Sequence, residues 1–179
     1  MIKNIVFDMG GVLIRWDPIG FANELGLNEE DTAQVLKYTY QSQLWADMDW
    51  GRCNEEDVYA YACENLPERL HGCAERLIFH WSKNLQAIPG MQQLVYDCKL
   101  AGKGVYLLSN ASFRQKDYWP NVPGNEVFDG RIVSAEVGVA KPECGIFEKL
   151  LENYGLKADE CVFIDDVWKN VLGAMQAGL

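Results

Sequence analysis

Apolar residues gather along this chain with two different rhythms. Four short blocks are bounded by turn residues: Ile5–Phe7, Val105–Leu108, Arg131–Val133 and Cys161–Ile164. Blocks of this length predict strands, and three of the four are apolar without a break, which suits a parallel sheet covered on both faces. Helical spacing fills the intervals. Met91, Leu94, Val95, Cys98 and Leu100 lead into Ala101-Gly102; Ile146, Phe147, Leu150, Leu151 and Tyr154 end at Gly155; Val171, Leu172, Met175 and Ala177 close at Gly178. The β-α-β alternation from about residue 90 onward predicts an α/β protein with a doubly wound, Rossmann-like parallel-sheet core.

Residues 17–86 have another pattern. They hold no convincing strand, only amphipathic stretches at Phe21–Leu25, Thr32–Tyr40, Glu55–Asn65 and Glu68–Trp81. Asn54-Glu55-Glu56-Asp57 has the form of a helix N-cap with an acidic first turn. The expected organisation is a core made of residues 1–16 and 87–179, with a helical insertion over 17–86 after the first strand. That insertion is rich in Trp and Tyr, most of which should pack inside a small bundle. Doubly wound sheets commonly run on into a further strand, so truncation after Leu179 stays open.

Length and composition narrow the class. The 179 residues suit one domain with a modest insertion, and 49% hydrophobic with 23% charged residues is an ordinary globular balance. No apolar stretch approaches the ~20 residues that span a bilayer, and the N-terminus does not resemble a signal peptide, so a cytoplasmic protein is expected. A net charge of −10 argues against a nucleic-acid partner. The six cysteines show no metal-ligand spacing and are expected to be reduced, and His71 and His80 to be surface or helix-packing residues. Oligomeric state is not legible.

Candidate chemistry lies at the carboxyl ends of the expected strands, the edge where open α/β sheets bind ligands. Asp8 follows the first, Ser109-Asn110 the second, Lys141-Pro142 the third after a short loop, and Asp165-Asp166 the fourth. Single polar residues end strands everywhere; two carboxylate sites, a hydroxyl and a lysine on one edge carry more weight. Asp8 and Asp166 could offer hard oxygen ligands to Mg²⁺, which takes one or two carboxylates with water and substrate phosphate. Lys141 would balance the negative charge. The Ser109 hydroxyl and the N–H groups around Gly10, Gly11 and Asn110 would bind phosphoryl oxygens, leaving Asp8 as nucleophile.

Asp8 in a D-x-x-G-V turn, Ser109-Asn110, Lys141-Pro142 and Asp165-Asp166, in that order, resemble the haloacid dehalogenase-like hydrolases, and the insertion looks like that family's cap of the first type. Tyr118-Trp119-Pro120, the Gly51–Glu56 turn, Gly138–Pro142 and Phe163–Asp166 with Asn170 are most similar to its bacterial glucose-1-phosphate phosphatase branch. The resemblance implies a Mg²⁺-dependent phosphatase acting on a small phosphorylated metabolite such as a sugar phosphate, through an aspartyl-phosphate on Asp8. It implies a Gly10 carbonyl on the metal, Asp166 as direct ligand, Asp165 as a second ligand or a partner to metal-bound water, and Asn170 orienting that region. Ser109 and Lys141 would hold phosphate. Trp16, Asp17, Trp45 and Arg52 are candidates for substrate contact. The departure is Gly10, where most phosphatases of the family carry the aspartate that protonates the leaving group. Its absence leaves a reading as a retired, binding-only hydrolase, and the fold also supports 2-haloacid dehalogenation, which Asp165-Asp166 disfavours.

Overall fold

In the computed structural model, which describes residues 1–179 apart from the Asn84 side chain, four parallel strands form one sheet. They are β1 (Asn4–Phe7), β2 (Gly104–Ser109), β3 (Gly130–Val133) and β4 (Cys161–Ile164), in the order β3-β2-β1-β4. Each coincides with a block expected from the apolar pattern. Chain order runs outward from β1 to β2 and β3, then returns across the sheet to β4. The reversal leaves a crevice beside the carboxyl end of β1, the switch point at which doubly wound sheets bind ligands. Asp8, the next residue, donates its N–H to the Ile164 carbonyl at 2.9 Å and so sits in that crevice.

Alternation along the strands assigns the two faces. Phe7, Val105, Leu107 and Val133 point to one side, where Val95 of the helix Met91–Leu100 and the segment around Tyr118 and Val122 cover them. Val6, Tyr106, Leu108 and Ile132 point to the other, against Ile146, Phe147 and Leu150 of the helix Cys144–Tyr154 and Ala174 of the helix Trp168–Gln176. Three layers result, with strands buried on both faces, as their composition requires.

Five helices lie between β1 and β2 before the sheet-covering one: α1 (Pro18–Asn23), α2 (Glu29–Tyr38), α3 (Gln43–Asp49), α4 (Glu55–Asn65) and α5 (His71–His80). The remaining helices are then α6 (Met91–Leu100), α7 (Gln115–Tyr118), α8 (Ser134–Val137), α9 (Cys144–Tyr154) and α10 (Trp168–Gln176). Helices α1 to α5 hold an apolar core of their own, with Val35, Met48, Val58, Leu70 and Ile78 at its centre. The acidic turn before α4 is a full capping box: Asn54 accepts from the Asp57 N–H and Asp57 accepts from the Asn54 N–H. Helix α3 went unexpected, because its seven residues are too few to show a helical period. Ser42 starts it by accepting the Trp45 N–H, and Gly51, at φ +71°, stops it.

The six cysteines are free thiols, and His71 meets the Leu66 carbonyl within the helical segment, as expected. Among the described residues no helix is long and apolar enough to cross a membrane.

One close approach fixes α10 to the loop that carries Lys141. A Cβ on Gly173 would lie 2.2 Å from the Pro142 carbonyl oxygen. Gly173→Ala should therefore destabilise the protein by ~1–3 kcal/mol through overpacking, read as a lower urea midpoint with an unchanged slope. A midpoint equal to wild type would show that the helix rests more loosely on the loop than described.

Candidate active site

Lys141 organises the sheet edge. Its side chain is 1% exposed, and its Nζ donates to Asp8 Oδ1 and Asp165 Oδ2, each at 2.7 Å. The lysine backbone is clamped by one side-chain amide: Asn110 Nδ2 donates to the Lys141 carbonyl at 3.0 Å, and Asn110 Oδ1 accepts the Lys141 N–H at 2.8 Å. The Asn110 side chain thus holds the lysine, not a phosphate, and only its backbone N–H is left for the part expected of it. Ser109, buried at the end of β2, reaches the same cavity as Asp8 and Lys141.

The two adjacent aspartates divide their work. Asp165 is fully engaged by Lys141, by the Val167 N–H at 2.8 Å and by Asn170 Nδ2 at 3.0 and 3.1 Å. Asp166 is exposed and lies against Gly11, where a Cβ would fall 2.3 Å from its Oδ2. Gly11 also departs from expectation. Its N–H donates to the Ile14 carbonyl at 2.8 Å and so is no phosphate donor. What Gly11 contributes is the missing side chain and the φ of +80°, which together let Asp166 close on the Asp8 turn.

Electrostatics follow from this burial. Desolvation raises the Asp8 carboxyl to about 6; Lys141 opposes the rise and the Asp165 charge adds to it. Asp8, Asp165 and Asp166 each offer an oxygen, all within 4.8 Å of one another. Asn170 Oδ1 is buried with no hydrogen-bond partner in the wall of the same cavity. Three clustered carboxylates and an orphaned acceptor, with one shared lysine, form a donor set of hard oxygens that fits Mg²⁺.

The cavity over this edge measures about 380 Å³. An aromatic wall lines it, made of Trp16 just before α1, Tyr40 just after α2, Trp45 on α3 and Trp81 just after α5. Trp16 is its hub, stacked on Trp45 at 6.0 Å between centroids and edge-on to Tyr40 and Trp81 at 5.1 and 4.9 Å. Two other candidates from the sequence point elsewhere. Asp17 caps α1 and pairs with Arg15, and Arg52 pairs with Asp47 and lies over the Trp50 ring.

The sequence reading missed the cavity's second acidic group, Asp49 at the end of α3 and Glu55 at the start of α4. Glu55 accepts a hydrogen bond from Ser112. Burial, with the Glu55 charge adding, raises the Asp49 carboxyl to about 7. Glu55 was legible only as a helix-capping acid, and Asp49 sits on the one insertion helix without a readable pattern.

With this geometry in place, comparison with known proteins gives the class. The haloacid dehalogenase-like hydrolase family model matches residues 2–178, and the chain belongs to that family. A sesquiterpene phosphatase of Aspergillus oryzae is 27% identical, over 99% of this chain and 87% of its own. A D-ribitol-5-phosphate phosphatase of Bacteroides thetaiotaomicron is 24% identical, over 96% and 86%. Among solved structures, a Bacteroides thetaiotaomicron enzyme of the family, in complex with magnesium and inorganic phosphate, superposes with a TM-score of 0.73 at 23% identity, over 100% of this chain and 92% of that one.

Gly11→Ala should push Asp166 off the Asp8 turn. We expect a ~10–100-fold loss of Mg²⁺ affinity by calorimetric titration, with secondary structure intact; unchanged affinity would place the cation away from Asp166.

Proposed function

We propose that the protein is a Mg²⁺-dependent phosphatase that hydrolyses a small phosphomonoester through an aspartyl-phosphate on Asp8. The observation that carries this reading is the buried Lys141 bridging Asp8 and Asp165 at 2.7 Å, with Asp166 beside them and an open cavity above. The names of the relatives, a sesquiterpene phosphatase and a ribitol-5-phosphate phosphatase, support the same chemistry.

Lys141 holds one oxygen of Asp8 and so fixes the plane of the carboxylate, leaving the other to attack phosphorus in line with the ester oxygen. Burial desolvates the Asp8 carboxylate while the Lys141 charge favours its ionised form, the combination a carboxylate nucleophile needs. Ser109 and Lys141 receive phosphoryl oxygens, the lysine as a point charge. Asp166 and Asp8, with the Gly10 carbonyl, would hold Mg²⁺. When bound, it neutralises phosphoryl charge. Asp165 and Asn170 position Lys141 and the start of α10 around that set. Water then attacks the phosphorus of the aspartyl-phosphate, the P–O bond to Asp8 breaks and phosphate leaves.

We read residues 17–86 as a cap that, together with Trp16 at its base, supplies the leaving-group pocket. Four aromatic rings bury an apolar or flat-faced alcohol well, and both an isoprenoid chain and the C–H face of a sugar meet that description. The aromatic wall favours the apolar end of this range over an open polyol.

The test is phosphate release from a panel of isoprenyl, anomeric sugar and polyol phosphates, with Mg²⁺ or with a chelator. Release should require Mg²⁺, fall to background in Asp8→Asn with the fold retained, and be fastest for esters with an apolar face. A panel with no Mg²⁺-dependent release, or an Asp8→Asn variant near wild-type rate, would refute the reading.

A further inference from the structure

The family's usual leaving-group acid is missing at Gly10, and its place is not vacant space. A Cβ on Gly10 would meet Trp16 Cβ at 3.3 Å, so the aromatic wall crowds the position. A carboxyl that could do the same work must therefore come from elsewhere on the cavity wall. Apart from Asp8 and Asp166, which belong to the phosphate and cation end, the lining carboxyls are Asp49 and Glu55. Glu55 accepts a hydrogen bond from Ser112 and is held by it. Among the described residues none donates a hydrogen bond to the Asp49 side chain.

We propose that Asp49 is a catalytic residue, the general acid and base that replaces the carboxylate absent at position 10. This rests on the phosphatase reading above. In the first half-reaction Asp8 forms a bond to phosphorus, the P–O bond to the leaving group breaks, and the Asp49 proton passes to the departing oxygen, giving the alcohol and an Asp49 carboxylate. In the second, Asp49 takes a proton from the attacking water as the P–O bond to Asp8 breaks. Atoms and charge balance, and Asp49 ends protonated.

Three features place Asp49 for this role. Asp49 lines the cavity that also contains Asp8, Ser109 and Lys141. The backbone at Asp49 is anchored to the core, because Ser134 Oγ donates to the Asp49 carbonyl and accepts the Ala111 N–H, two residues beyond Ser109. The turn that follows is held as closely: a Cβ on Gly51 would lie 2.6 Å from the Ala135 carbonyl oxygen, so only glycine lets α3 end there. Asp49 is thus fixed relative to the strand end that binds phosphate, although it belongs to the insertion.

Its surroundings keep the proton on until it is needed. Glu55 of α4 raises its proton affinity further, and it acts through charge on Tyr118 of α7. Arg114 before α7, Lys169 on α10, and Asp8, Lys141 and Asp166 at the sheet edge are the other charged groups lining the cavity. A carboxyl titrating near 7 is matched to proton transfer at neutral pH.

The experiment compares an ester that needs an acid with one that does not, in the whole chain with Mg²⁺. The probes are an unactivated alkyl phosphate and para-nitrophenyl phosphate, whose phenolate leaves unaided. Asp49→Asn should lower kcat/KM for the alkyl ester by ~10²-fold or more, while kcat/KM for the aryl ester, set by the first half-reaction, stays near wild type and shows that the variant is folded; its kcat falls with the slower second half-reaction. Wild-type kcat/KM on the alkyl ester should fall as pH rises through about 7, and that limb should vanish in Asp49→Asn but persist in Glu55→Gln. In Asp49→Ala, added formate should restore alkyl turnover. Equal losses on both esters without formate rescue, or an unaltered alkyl rate and pH limb in Asp49→Asn, would overturn the assignment alone. A wild-type protein inert even toward the aryl ester would overturn the phosphatase reading and the assignment with it.

Discussion

Everything at the sheet edge depends on one buried ammonium group. Lys141 touches a carboxylate from β1 and another from the end of β4, joining the two strands that flank the crevice. Removing one partner from a buried charge set of this kind leaves its neighbours uncompensated, at a cost of ~3–5 kcal/mol. The pair is not a stabilising ornament, since desolvation offsets much of its Coulomb energy. It is a device for specifying position: it sets the orientation of Asp8 before any ligand arrives.

Around that ammonium the fold separates two jobs by layer. The strands and their connecting loops gather the charged groups at one edge, where phosphate would lie. The insertion and the residues flanking it add a wall of rings and a second pair of carboxyls, Asp49 and Glu55, to the lining of the same cavity. Besides the packing of Trp81 and Leu85 on the core, the attachments between them include Ser134 to Asp49, Ser112 to Glu55, and Arg114 to the Phe79 carbonyl and ring. Each such hydrogen bond contributes only ~1 kcal/mol net, yet each originates within a few residues of Ser109 or of β3. The insertion is thereby aligned with the reacting end of the pocket and not merely laid over it.

How much of this could be read from the residues themselves varies with the length of the signal. The four strands were legible because a run of three or four apolar residues bounded by turns has few other interpretations. Asp8 and Ser109 could be picked out as candidates because each follows such a run directly, and Lys141 and Asp166 because they lie within a short loop or one residue of a strand end. Gly11 was placed in the right turn for the wrong reason: an N–H count from sequence cannot tell which carbonyl has already claimed the donor. The expectation for Asn110 concerns its backbone N–H; the use of its side chain as a clamp is not legible, because nothing nearby announces that residue 141, thirty-one positions away, needs one. Asp49 was invisible, since its helix is short, its role depends on which cavity the helix end faces, and that is settled by long-range contacts at Ser134 and Ala135. Local pattern reveals elements; which side chains converge is a property of their packing.

The contact between Gly10 and Trp16 ties two positions that would otherwise look independent. Trp16 is the ring on which Trp45, Tyr40 and Trp81 converge. A side chain at position 10 must press on it, and whatever displaces Trp16 loosens the whole aromatic wall. An acid in the usual place and the packed rings of this wall therefore press on each other by a few tenths of an ångström. A side chain at position 10 would be admitted by a small shift of Trp16, and the rings packed on Trp16 would feel that shift.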